Sequence, residues 1–351
     1  MSESAAPQED LADEFSGRTT PLQKIQQTLH RYPYLSPLVV LIFAMVIFTL
    51  LNDRFMLPNN LSLMTQQTVI VGTLAIAQTL IILTAGIDLS IGAIMIFGQM
   101  FMANLAVSAT ASNVLPIAGQ PPIVALIIGI LMATAAGAVN GLLIVKLSLP
   151  PFIVTLGTLS IFTALTLILF KARTIQGPEI PELLKIMGNS FAIGPFRVMY
   201  GVVVMLALYA IFAYILRSTA WGTHVYAVGD DPQAAKLSGI NTDRVLFSVY
   251  VVAGFIVGIA AWITIGRVGS ASPNVAPGIN LDTITAVVIG GTSLFGGRGT
   301  MIGTLLGALI VTVVENGLAL AGLDQAYRVL AIGILVIAAV ALDQWIRRVK
   351  S

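Results

Sequence analysis

Residues 221–244 read WGTHVYAVGDDPQAAKLSGINTDR, a mostly small and polar stretch between two oily runs. Before it stands YGVVVMLALYAIFAYIL (200–216), and after it VLFSVYVVAGFIVGIAAWITIG (245–266). A membrane-crossing helix needs about 20 predominantly apolar residues, because its backbone polar groups must be satisfied internally across about 30 Å of hydrocarbon. Both flanks meet that requirement. The polar stretch is therefore read as a segment lying outside the membrane between two spans.

Composition extends this to the whole chain. Of 351 residues, 57% are hydrophobic and only 10% charged, against about 45–50% and about 25% in soluble domains; mean hydropathy is +0.93. The expected fold class is an all-α, polytopic membrane helix bundle. Ten apolar runs qualify as spans: 36–52, 67–86, 90–110, 122–145, 151–170, 197–216, 244–266, 281–295, 301–321 and 327–346. Run eight, LDTITAVVIGGTSLF, is short and interrupted by glycine. The twin prolines Pro150 and Pro151 start the fifth run, where a first helical turn accepts proline. A transmembrane domain over 36–346 follows. The tail 1–35 is polar, carries an amphipathic segment near 21–31 and lacks the pattern of a cleaved leader; 347–351 form a short basic tail.

Lys and Arg are enriched in cytoplasmic loops and so set orientation. With the N-terminus inside, ten spans place eleven basic residues on the cytoplasmic side and seven outside, accounting for all 18. Both termini, including Arg347, Arg348 and Lys350, are then cytoplasmic, and so is the stretch 221–244. Its centre carries helix signals: Asp231 as N-cap, Pro232 at the first position, Gln233, Ala234, Ala235, Lys236, Leu237 and Ser238 as a short body, and Gly239 as terminator. A solvated connector is one reading. A connector needs only a few residues, however, and this segment builds a capped helix of small side chains, which favours a surface on which something docks.

Several chemistries are excluded. The chain has no cysteine, so disulfides and thiolate metal sites are out. Its two histidines, His30 and His224, are far apart in sequence and outside the apolar runs. The net charge of +2 is spread along the chain and gives no sign of nucleic-acid binding. No Gly-Lys pair exists for a phosphate-binding P-loop, so ATP hydrolysis by that route needs another chain. The glycine-rich GGTSLFGGRGT (290–300) lacks the lysine and flanks apolar spans; it is read as close helix packing plus a tight turn.

Carboxylates and hydroxyls at membrane depth mark functional candidates. Asp88, beside Ser90, and Asp282 lie at span junctions, where helix capping accounts for them. Glu315, next to Asn316, has no capping role and either faces a polar path or hydrogen-bonds within the bundle. Thr155 and Thr158, with Gly157 and Ser160, give span five a small polar face suited to a neighbouring helix or a hydroxylated solute. With Asn280, the candidate translocation path is Asp88, Ser90, Thr155, Thr158, Asn280, Glu315 and Asn316. The sequence Gly-Ile-Asx-Leu occurs at Gly86 and again at Gly278, five spans apart. An odd offset implies an inverted repeat of two five-helix halves. That pairing would match the 217–243 loop with an external segment 52–66, in which Leu61 contacts a partner.

LTAGIDLSIGA (83–93), VNGLLIVKLSLPPFIVTLGT (139–158), VYAVGDDPQAAKLSGIN (225–241) and AVVIGGTSLFGGRGTMIGTLLGALI (286–310) occur in family order. Together they resemble the permease of ATP-binding-cassette importers for monosaccharides, of the ribose and xylose type, over most of the chain from about residue 60. Ala85 and Ile91 depart from the Gly and Val of that pattern. The resemblance implies a permease that is not itself an enzyme and binds no cofactor; ATP and Mg sit on a separate ATPase chain. It further implies a second permease copy, a periplasmic sugar-binding protein, surrounding membrane lipid in a bacterial inner membrane, and a monosaccharide substrate such as ribose, xylose or fructose. Asp230 through Gly239 would be the coupling helix seated in the ATPase. A nucleoside or branched-chain amino acid permease, or an ion-coupled secondary transporter using Glu315 or Asp88, are the alternatives.

Overall fold

The computed structural model describes residues 34–107, 118–275 and 278–347. The expected tail with its 21–31 segment and His30, the end of the third run and the last four residues lie outside the described residues. Helices occupy Leu35–Leu51 (α1), Pro58–Leu83 (α2), Ile91–Ala106 (α3), Pro122–Leu147 (α4), Pro151–Phe170 (α5), the single turn Glu182–Lys185 (α6), Tyr200–Ser218 (α7), Ala220–Asp230 (α8), Pro232–Leu237 (α9), Thr242–Val268 (α10), Ile279–Ile289 (α11), Met301–Leu320 (α12) and Gln325–Arg347 (α13). Every expected run falls on one of these. Six of the helices (α2, α4, α5, α7, α10 and α12) are long and apolar enough to cross a membrane; α1, α3, α11 and the apolar part of α13 are shorter. The protein is a multi-pass, predominantly helical membrane protein.

The core is organised around α2, in which every residue from Thr68 to Leu83 is buried. A helix enclosed on all sides shows no polar stripe, and this buried part of α2 is apolar around its circumference except for Thr68, Thr73, Gln78 and Thr79. Each of those hydroxyls bonds a carbonyl one turn back. Around α2 the helices approach through small residues, since packing rather than the hydrophobic effect drives association in lipid. Where α4 crosses α10, a Cβ on Gly258 would lie 2.9 Å from the Ile130 Cα, and one on Gly137 2.9 Å from the Gly254 Cα. The same device joins α11 to α12: a Cβ on Gly290 would lie 2.8 Å from the Thr304 Cα, and one on Gly307 2.8 Å from the Gly290 nitrogen. The close-packing reading of 290–300 is thus borne out.

Several expectations need correction. The second run begins at Pro58, not at 67, because Pro58 starts the helix and the polar Asn60 and Ser62 find partners inside the protein. The segment 52–66 is therefore not an open loop, and Leu61 packs against the core. The chain is not purely helical: Ser190–Ile193 pairs antiparallel with Phe196–Met199, and this hairpin delays the sixth run to Tyr200. Run eight stops at Ile289, because Gly290 and the left-handed Gly291 (φ +84°) end α11. Asp282 does not cap that helix; Gly278 holds the cap position and Asp282 lies in the first turn. The two Gly-Ile-Asx-Leu copies also differ in conformation. Gly86–Leu89 lies in the break before α3, whereas Gly278 directly caps α11.

Contacts define two ends of the bundle. At one, Asn52 donates to the Leu320 carbonyl (2.9 Å), the Asn60 and Asn316 amides pair (2.9 and 3.1 Å), and the Arg197 N–H donates to Ser62 Oγ (2.9 Å). At the other lie α8, α9, the start of α10, and the turns after α2 and α11; there the Gly297 N–H donates to the Leu83 carbonyl (3.0 Å) and Tyr226 Oη–H to the Gly299 carbonyl (2.9 Å).

Candidate functional site

Two places carry chemistry beyond packing. The first is α9. Asp231 caps it, its Oδ1 accepting from the N–H groups of Gln233 (2.8 Å) and Ala234 (3.0 Å), with Pro232 in the first turn. Gly239 (φ +84°) ends it in a left-handed turn that any side chain would strain. The capping chemistry legible in the sequence is what the structure builds. Asp230, Asp231, Pro232, Gln233, Ala234, Lys236, Leu237, Ser238 and Gly239 are exposed, while Ala235 is 4% exposed and anchors the helix to its own chain. Leu237 is 89% exposed. Singly exposed leucines are ordinary on protein surfaces; Leu237 stands out only as the one large apolar side chain that this capped helix turns outward.

The second place is a polar knot where α2 gives way to α3. Residues 84–90 are not helical, and irregular backbone inside a membrane bundle is tolerated only when protein or water satisfies it. Here protein does. Asp88 Oδ1 accepts from the Ser90 N–H (2.7 Å) and Ser90 Oγ–H (2.6 Å), and Asp88 Oδ2 accepts from Asn140 Nδ2 (3.3 Å), which also donates to Ser90 Oγ (2.8 Å). With its amide turned so that donor meets acceptor, the Gln78 carboxamide bonds the Asp88 backbone in both directions, its nitrogen to the carbonyl (3.1 Å) and its oxygen to the N–H (3.3 Å). From α5, Thr155 Oγ1–H donates to the Ile87 carbonyl (3.0 Å). From α11, Asn280 Oδ1 accepts from the Gly92 N–H (2.7 Å), so the first turns of the two short helices α3 and α11 meet. Asp88 is thus an acceptor held by three donors at the start of α3, two residues before Ser90, which holds the cap position in place of Asp88; an anion there also favours the helix dipole.

Of the sequence-selected path residues, the structure brings Asp88, Ser90, Thr155 and Asn280 into this knot. Thr158, buried at 3%, turns its hydroxyl to the Thr155 carbonyl of its own helix (3.4 Å). Glu315 and Asn316 lie at the opposite end, Asn316 paired with Asn60 and Glu315 half-buried. Gln78, Asn140 and Tyr250 escaped selection. Asn140 Oδ1 and the Tyr250 hydroxyl are buried without a hydrogen-bond partner, and a Cβ on Gly86 would lie 3.0 Å from that hydroxyl. The usable signal is a lone amide within an apolar run, as in AVNGLL; the amides that were selected, Asn280 and Asn316, stand instead at a span junction and beside a carboxylate. Ala85 also acquires meaning, since its φ of +59° is left-handed, a conformation that costs a non-glycine residue about 1–2 kcal/mol.

Comparison with known proteins identifies the family. A family model described as branched-chain amino acid transport system / permease component matches residues 60–340. The chain is 45% identical to the fructose import permease protein of Rhizobium meliloti, covering 97% of this chain and 94% of that one. It is 35% identical to the ribose import permease protein of Bacillus subtilis (93% and 98% covered) and 32% identical to the D-allose transport system permease protein of Escherichia coli (88% and 91% covered). No solved structure matches. With a family match over most of its length and full-length relatives named as permeases, the chain belongs to the branched-chain amino acid transport system / permease component family.

Proposed function

We propose that this chain is the membrane-spanning permease subunit of an ATP-driven importer that carries a monosaccharide, a pentose or hexose, by alternating access. The observation that carries the proposal is α9, a capped helix held out from the bundle with Leu237 bare in solvent. In this reading α9 seats in a separate ATPase chain, which binds ATP and Mg²⁺; the permease supplies no catalytic group. Asp230, Asp231 and Lys236 pair across that contact and Ala234 permits close approach. Two permease copies form the pathway, a periplasmic sugar-binding protein delivers the solute, and the complex sits in a bacterial inner membrane. Ten helices crossing or entering the bilayer, with both termini cytoplasmic, agree with the basic-residue balance. An inverted repeat is supported by the meeting of α3 and α11, both short helices that follow breaks in the bundle.

Relatives named for fructose, ribose and allose favour a sugar over the amino acid of the family description.

The test is uptake by proteoliposomes holding this chain, an ATPase and a binding protein encoded beside it. ATP inside the vesicles is expected to drive accumulation of labelled fructose, ribose or allose. ATP-driven accumulation of leucine or a nucleoside instead, or sugar accumulation by this chain alone under a proton gradient, would overturn the proposal.

A further inference from the structure

The last turn of α8, directly before α9, touches two other segments chiefly through backbone. Gly229 packs against the Leu83 carbonyl and the Gly297 N–H so tightly that no side chain fits there. Those two groups are themselves hydrogen-bonded (3.0 Å). Gly296, left-handed at φ +84°, packs on the Gly229 carbonyl and on Ala85, and a Cβ on Gly297 would lie 2.8 Å from the Asp230 Cα. Tyr226 completes the junction from one turn earlier, donating to the Gly299 carbonyl (2.9 Å). Three chain segments that are far apart in sequence therefore meet at Gly229.

What each segment leads to gives the junction its meaning. Leu83–Ala85 opens the non-helical break that ends at Asp88 and α3. Gly296–Gly299 belongs to the turn joining α11 to α12. Asp230 leads within two residues into α9. Packed interiors transmit displacement because they have few alternative arrangements, and contacts between backbones cannot be absorbed by a change of rotamer. We propose that Gly229 is a positioning residue through which a displacement of α9 moves the α2–α3 break and the α11–α12 turn together. The two short helices that meet at Gly92 and Asn280 are then driven as one unit. Side chains on α9 choose the ATPase; the glycine junction behind it carries the stroke.

This inference rests on the proposed importer function, and the experiment separates the two. The complete reconstituted complex is compared in parent, Gly229→Ala and Tyr226→Phe forms, reading ATPase co-purification, thermal unfolding and ATP hydrolysed per labelled fructose imported. Gly229→Ala is expected to keep the ATPase bound yet to raise ATP consumed per sugar by about tenfold or more, the scale of an overpacked contact. Tyr226→Phe, losing one hydrogen bond and little volume, is expected to raise it by about three- to fivefold. If the parent complex imports no sugar with ATP, the function falls. If the parent imports and an assembled Gly229→Ala complex matches its coupling ratio, the junction falls. Should Gly229→Ala fail to assemble, Tyr226→Phe decides by the same criterion.

Discussion

Asn140 shows how much one amide does in this bundle. It reaches from α4 to both Asp88 and Ser90, and without it the buried carboxylate loses one of its three donors. Interhelical hydrogen bonds in membranes are worth about 0.6–2 kcal/mol, less than intuition suggests, because the separated helices find other partners. Truncation also leaves a buried acceptor less satisfied, which adds to the loss. Asn140→Ala is therefore expected to destabilise the protein by about 1–2 kcal/mol, read as a lower thermal unfolding midpoint in detergent. An unchanged midpoint would mean that Asn140 is not part of the support for the break. None of this was visible from Asn140 alone. Its partners lie 50 and 52 residues away, and a single polar letter in an apolar run does not say where it points. Asp88 was legible as a residue of importance, yet its capping partner and its donors were not.

At the scale of elements, α9 separates docking from folding. Ala235 and Leu237 are two residues apart and face opposite ways, one 4% and the other 89% exposed. Placing a carboxylate at each has opposite consequences. Ala235→Asp buries a charge without a partner and is expected to cost at least about 2 kcal/mol, lowering the unfolding midpoint. Leu237→Asp is expected to leave the midpoint unchanged while weakening ATPase co-purification by about tenfold or more, as loss of an apolar anchor does. Equal effects of the two on stability, or retained ATPase binding by Leu237→Asp, would remove α9 from the interface. The helix itself was legible because capping is local: Asp231, Pro232 and Gly239 each act on neighbours within four positions. The preceding α8 was not, since WGTHVYAVGD has the letters of a loop and becomes a helix through its contacts. Val225 and Val228 are buried, and Trp221 Nε1–H donates to Ser248 Oγ on α10 (2.8 Å).

The whole molecule has two ends whose sidedness is open to direct measurement, because the chain contains no cysteine of its own. Single cysteines at Leu237, at the exposed hairpin residue Ile193 and at Ser351 report on α9, the opposite end and the C-terminus. With an impermeant maleimide, Leu237→Cys and Ser351→Cys are expected to react only in inside-out vesicles and Ile193→Cys only in right-side-out ones. Reaction of Ser351→Cys on the same side as Ile193→Cys would break the even span count and the orientation with it.

What the sequence determined by itself was everything local or additive: that the chain lives in a membrane, where its apolar runs lie within a few residues, and that a capped polar helix interrupts them. Hydrophobicity sums along the chain and a cap acts within one turn, so both leave a readable trace. The tertiary structure alone decided which polar groups meet, that α3 and α11 touch at their first turns, that residues 190–199 pair as a hairpin, and that Gly229 joins three segments. Those outcomes depend on segments brought together from positions as much as 268 residues apart, as for Asn52 and Leu320. Contact at such a distance leaves no periodicity in the letters, because close approach requires only that a side chain be small, and small residues are common throughout the chain.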